Sequence, residues 1–189
     1  MNKIIASILI ICTVNVLVYY IHPQPETLIL TRDKGLKEPW RLLTYQFEHI
    51  SQTHLLENII GLMLVGFIAR EANIKFKDFI FVYIASVFIV IPFVYLVYPT
   101  DTVAGNSTGI YGLLSYTLLK ERKIIPPYLS LPLFTLVMFT APIINLYQAG
   151  ALIMKNLQSS IYHFIGYLSG IGVFHLNQRK PYKKVLRRT

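Results

Sequence analysis

GNSTGIYGLLSYTLLK, Gly105–Lys120, is the stretch on which the fold turns. Its apolar part is too short to cross a bilayer, which takes about 20 residues. It also opens on three polar residues, Asn106, Ser107 and Thr108. Ser107 to Lys120 is thirteen steps, about 20 Å at the helical rise of 1.5 Å per residue. The hydrocarbon layer is about 30 Å thick. With Lys120 at the cytoplasmic surface, Ser107 lies about 10 Å below the outer one. The chain before it, Thr100–Asn106, then dips into the membrane without being helical. Backbone of that kind is tolerated only beside a water-filled cavity.

The rest of the chain supports a membrane setting. Of its 189 residues 54% are hydrophobic and only 14% charged, where a soluble domain carries about a quarter charged. The net charge of +9 raises the question of nucleic acid. The basic residues sit at helix ends and in the tail, however, so membrane topology explains them and no nucleic-acid partner is expected. Six apolar segments stand out, at 4–21, 54–69, 79–98, 107–119, 126–147 and 161–176, followed by a basic tail, 177–189. The expectation is a single all-α polytopic membrane domain over 1–189, a six-transmembrane-helix bundle whose short fourth helix starts inside the membrane. The first run, Ile4–Ile21, lacks a small-residue cleavage site after it and reads as a retained helix rather than a signal peptide. Cys12 stands alone, so no internal disulfide and no zinc-type spacing is available.

Basic residues orient the bundle. On one side fall Lys3, then Arg70, Lys75 and Lys77, then Lys120, Arg122 and Lys123, then six in the tail, thirteen altogether. On the other fall Arg32, Lys34, Lys37, Arg41 and Lys155, which is five. Both termini are expected in the cytoplasm and the long first loop, His22–Thr53, outside. The tail from Arg179 to Arg188 serves as a topology signal and rests against anionic lipid.

Polar groups inside membrane segments are expensive and mark function. The second segment carries His54, Glu57 and Asn58, the fourth Asn106, Ser107 and Thr108, and the sixth His163. His54 and Asn58 share a helix face. Taken alone, an interhelical hydrogen bond is their plainer reading, and helix packing is the plainer reading of His163 with Gly166 and Gly170. Depth changes the weighing. His163 lies sixteen steps from Arg179, about 24 Å, which puts it near the level of Ser107. Gly109 and Gly112 on one helix and Gly166 and Gly170 on the other allow the two backbones to approach. A serine and a histidine so placed in a wet cavity suggest a Ser–His dyad.

These residues also carry a resemblance. Glu38–Arg41 reads EPWR and His49–Asn58 reads HISQTHLLEN; Gly105–Gly112 reads GNSTGIYG and His163–Gly170 reads HFIGYLSG. In this order they resemble the motifs of the rhomboid family of intramembrane serine proteases, along nearly the whole chain. The resemblance implies Ser107 as nucleophile, His163 as base and Tyr111 as the aromatic that supports the imidazole. It implies His54, Asn58 and the Ser107 N–H as oxyanion donors, with Gly105 and Asn106 shaping the turn. The segment Gln148–Gln158 would be the lid over the site. Substrates would be single-span transmembrane proteins, cut at a small residue. No metal or organic cofactor is implied. The setting is a multi-pass protein of a prokaryotic cell membrane, its oligomeric state open.

Two positions depart from the family pattern. Thr108 stands where the family has glycine, with glycine delayed to Gly109, and Glu57 is an extra carboxyl beside Asn58 with no assigned role. The rival class is a non-catalytic rhomboid-like, derlin-type module that binds membrane proteins. Such relatives have typically lost the serine or the histidine.

Overall fold

The computed structural model describes residues 2–22, 25–96, 102–149 and 154–185. The chain is mostly helical. In order it runs α1 (Lys3–Ile21), β1 (Leu30–Thr31), α2 (Arg32–Gly35), α3 (Arg41–Thr44), α4 (Gln52–Glu71), α5 (Phe76–Phe88), α6 (Val90–Leu96), β2 (Thr102–Val103), α7 (Ser107–Lys120), α8 (Pro127–Met138), α9 (Thr140–Ala149) and α10 (Met154–Val185).

Local chemistry sets the helix ends. Asn2 caps α1 by accepting from the Ile4 N–H at 2.9 Å. Ser51 caps α4 by accepting from the His54 N–H at 3.1 Å, so this helix starts two residues before the expected 54–69 span and runs two beyond it. The expected 79–98 span is divided, α5 ending at Phe88 and α6 beginning at Val90, with residues 97–98 outside the described ones. The expected 126–147 helix is divided too, α8 ending at Met138 and α9 beginning at Thr140. The cause is the same in both. Pro92 and Pro142 each lack the N–H that would bond the carbonyl four residues back, on Phe88 and Met138. The expected 161–176 helix is the inner part of a longer one, α10.

By length and composition three helical stretches among the described residues can cross a membrane: Lys3–Ile21, Gln52–Glu71 and Phe76–Leu96. A fourth counts if α8 and α9, bent by 56°, form one span. The six expected spans are therefore not all matched by long apolar helices. α7 has only 14 residues. α10 is long, but Gln158, Ser159, Ser160, His163 and Ser169 dilute its apolar stretch.

α7 sits in the middle. Ten of its residues are buried, and α4, α5, α8 and α10 pack around it. One large core cluster gathers Ile8, Leu62, Val65, Val82, Val87, Val94, Leu113, Ile165 and Phe174 from α1, α4, α5, α6, α7 and α10. The outward faces are apolar instead, with Leu9, Ile10, Leu64, Phe67, Phe81, Leu133 and Leu136 exposed, while Asn15, Ser86, Asn106 and Ser115 are fully buried. Apolar outside and polar inside is the arrangement that lipid favours.

The chain between α1 and α4 folds on itself and clasps the approach to α7. Arg41 is 3% exposed. Its Nε donates to Glu38 Oε2 at 2.6 Å and its Nη1 to the carbonyls of Ile29 at 2.7 Å and Glu26 at 2.5 Å. Removing Arg41 would strip these carbonyls of their donor. β1 pairs antiparallel with β2, Leu30 opposite Val103 and Thr31 opposite Thr102. The Gly105 N–H then donates to the Tyr45 carbonyl at 2.9 Å. The segment expected to dip without helix, Thr100–Asn106, is thus a short strand and a bend from Thr102 onward; its first two residues lie outside the described ones.

Candidate active site

Gly105 shapes the turn into α7. Its φ is +92°, a conformation that side chains disfavour. A Cβ there would lie 2.8 Å from His54 Cε1, 3.0 Å from His54 Nε2 and 3.3 Å from Asn58 Nδ2. The chain therefore runs directly against the two α4 side chains, and only glycine lets it. Asn106, next along, is fully buried and donates from Nδ2 to the Tyr83 hydroxyl at 3.1 Å. It anchors the start of α7 to α5 rather than facing the cavity.

Ser107 is the first residue of α7. Its Oγ is 2.9 Å from His163 Nε2 on α10. For Nε2 to accept the serine proton, neutral His163 carries its own proton on Nδ1. The Tyr111 ring stacks on the imidazole with centroids 4.6 Å apart and planes 28° apart. Tyr111 is one turn along α7 from Ser107, so a single helix supplies both the hydroxyl and the plate behind its partner.

Glycine makes the meeting of α7 and α10 possible. A Cβ on Gly166 would strike the backbone carbonyl of Thr108, and one on Gly170 the carbonyl of Gly112 and Ser115 Oγ. Ser115 Oγ also donates across the gap to the Tyr167 carbonyl at 2.7 Å. Thr108 itself is buried. Its backbone carbonyl lies against Gly166 of α10.

Ser107, His163, His54, Gly105 and Thr108 line one cavity of about 630 Å³, together with Ile50, Gln158 and Ser159. Asn58 is 3% exposed and does not line it; one of its amide protons goes to the His54 carbonyl at 3.0 Å, leaving the other. Tyr111 and His163 also line a second cavity, of about 360 Å³, toward α8 and α9. Of the expected lid, Gln148–Gln158, residues 150–153 lie outside the described ones, and the rest belongs to the end of α9 and the start of α10.

Behind His54 the loop between α1 and α4 adds His49, whose ring centroid is 5.1 Å from that of His54. His49 Nδ1 lies 3.2 Å from the Phe47 carbonyl. A carbonyl only accepts, so Nδ1 carries the proton. Burial, helped by His54 nearby, holds the His49 pKa down to about 4, so the ring is neutral at pH 7. Burial also raises the Glu48 carboxyl above its usual range.

Some contributors were not singled out from the sequence. Tyr83, which holds Asn106, sits in an ordinary apolar helix. Tyr45, which receives the Gly105 N–H, lies in a loop without periodicity. Ser51, which caps α4, was not singled out either, although serine is a favoured cap residue.

A family model described as the Rhomboid domain matches residues 36–177, well over half of the chain. No curated protein matches it.

Proposed function

The chain belongs to the rhomboid family, and from that membership we propose that it is a serine endopeptidase cutting transmembrane proteins within the bilayer. One observation carries the reading: Ser107 Oγ and His163 Nε2 lie 2.9 Å apart on a cavity wall, inside a protein with apolar outer faces. The reach and chemistry suit a nucleophile and its base.

In this reading Ser107 attacks the scissile carbonyl as His163 takes its proton. The charge that develops on the carbonyl oxygen is met by the Ser107 N–H and by His54, both on the cavity wall, with the remaining amide proton of Asn58, which lies beside the cavity, as the third donor of this proposal. His163, with its face held by Tyr111, then hands the proton to the leaving amine. The acyl-enzyme is hydrolysed by a water that His163 activates the same way. The cavity supplies that water at a depth where lipid does not.

A fluorophosphonate serine probe is the direct test. We expect one covalent adduct on the purified protein, mapped to Ser107 and absent after His163→Ala. A folded protein that takes no label at Ser107 supports the derlin-type module, which binds membrane proteins without cutting them.

The fold proposed with this activity has six membrane-crossing elements, with α7 entering from inside the membrane and α10 completing the bundle. Thirteen basic residues against five put both termini in the cytoplasm. A cytoplasmic-side reporter joined after Thr189 is expected to be active and an external-side reporter silent. The opposite result overturns the topology and the depths derived from it.

A further inference from the structure

Glu57 has no part in the chemistry above. It lies in the second turn of α4 and is exposed, on the side of the helix where Ile60, Leu64 and Phe67 are also exposed. That side faces lipid. Among the described residues Glu57 forms no ion pair. A carboxylate facing lipid without a partner is costly, and such a residue calls for one.

Its depth is informative. Glu57 precedes Arg70 on α4 by thirteen residues, and Ser107 precedes Lys120 on α7 by thirteen. Arg70 and Lys120 lie in the last turns of their helices. At 1.5 Å per residue, both Glu57 and Ser107 stand about 20 Å from the basic end. α4 packs against α7. His54, which lines the cavity, precedes Glu57 by one turn of α4. The carboxylate is therefore level with the nucleophile, beside the site, on the lipid side of the wall.

We propose that Glu57 is a subsite for a cationic side chain, Lys or Arg, carried by the transmembrane substrate within a few residues of the scissile bond. The proposal rests on the protease reading and adds a selectivity to it. A substrate must bring its peptide to the depth of Ser107. A Lys or Arg at that depth is itself poorly solvated by lipid, so pairing with Glu57 relieves both charges. A substrate with a neutral residue there gains nothing from Glu57. One with an acidic residue is repelled.

The test uses the full-length protein in liposomes and three single-span substrates. They are identical except for Lys, Gln or Glu three residues from a cut mapped by mass spectrometry. Wild type is expected to favour the Lys over the Gln substrate by about tenfold in kcat/KM, equivalent to about 1.4 kcal/mol. Glu57→Gln should bring that ratio to about one. Glu57→Lys should invert the order, with the Glu substrate now preferred. Equal rates for all three substrates with wild type overturn this proposal while leaving the protease reading intact, as does a Lys preference that persists in Glu57→Gln. If wild type cuts none of them, the protease reading falls and this one with it.

Discussion

Ser107→Ala and His163→Ala are each expected to reduce cleavage of a single-span substrate by at least about 10³-fold, and the double variant to be no worse than either. Residues that act as one unit lose the whole function with the first deletion. The 2.9 Å contact between Ser107 Oγ and His163 Nε2 makes them such a unit. His22 cannot substitute, since it lies at the end of α1 against Glu48 and Thr27. His175 is exposed three turns along α10. His54→Ala and Asn58→Ala should instead lose roughly 10²–10³-fold and leave measurable turnover, because each removes one oxyanion donor of several. Cleavage in liposomes, with folding checked by thermal melting, decides the matter. Folded Ser107→Ala that cuts at the wild-type rate would sink the enzyme assignment.

The second large effect is steric. Gly170→Leu places a Cβ into the Gly112 carbonyl and Ser115 Oγ, and 2.8 Å from the Gly112 carbonyl carbon. Backbone cannot swing aside as a side chain does, so α10 must retreat from α7. The Ser115–Tyr167 hydrogen bond goes with it, and the serine and histidine separate. Overpacking of this kind costs about 1–3 kcal/mol or more. We expect a lower melting temperature and loss of activity together. Gly172→Leu, two residues further on, is the matched control. Nothing lies within 4 Å of a Cβ there, and replacing a helical glycine at an exposed position should leave stability level or raise it by up to about 1 kcal/mol. Equal damage from both substitutions would mean that the α7–α10 contact is not what holds the site.

How much of this could be read from residues alone varied by element. α1 is a long apolar run broken only by Ser7, Thr13 and Asn15 after its first residue, and its observed bounds differ from the expected ones by a single residue. α4 was recognisable from its apolar stretch 59–69, behind a polar start that left its bounds two residues short at each end. The breaks at Ile89 and Phe139 were hidden because apolar residues continue through both, and hydropathy ignores the missing N–H of Pro92 and Pro142. The loop between α1 and α4 was less legible still. β1 and β2 have two residues each and come from distant parts of the chain, so no alternation marks them. The burial of Arg41 among backbone carbonyls runs against the ordinary preference of arginine for the surface. In the site, Ser107 and His163 could be paired from depth and from the glycines that bring their helices together. The tie of Asn106 to Tyr83 could not, because it depends on how α5 is rotated against α7. Asn58 was expected at the cavity and lies beside it, its amide partly used within α4.

The position of His163 on α10 has a consequence in time. Ser107 and His163 are 56 residues apart, and α10 follows every other helix of the bundle in chain order. At about 5–20 residues per second, Ser107 is synthesised roughly 3–11 s before His163. Until α10 inserts and its glycines close onto α7, Ser107 lacks its contact with His163. Under the proposed chemistry the nascent chain is inert beside the other membrane proteins leaving the same insertion machinery. Activity begins only when the bundle is complete, so a chain stalled before α10 is a harmless product rather than an unregulated protease.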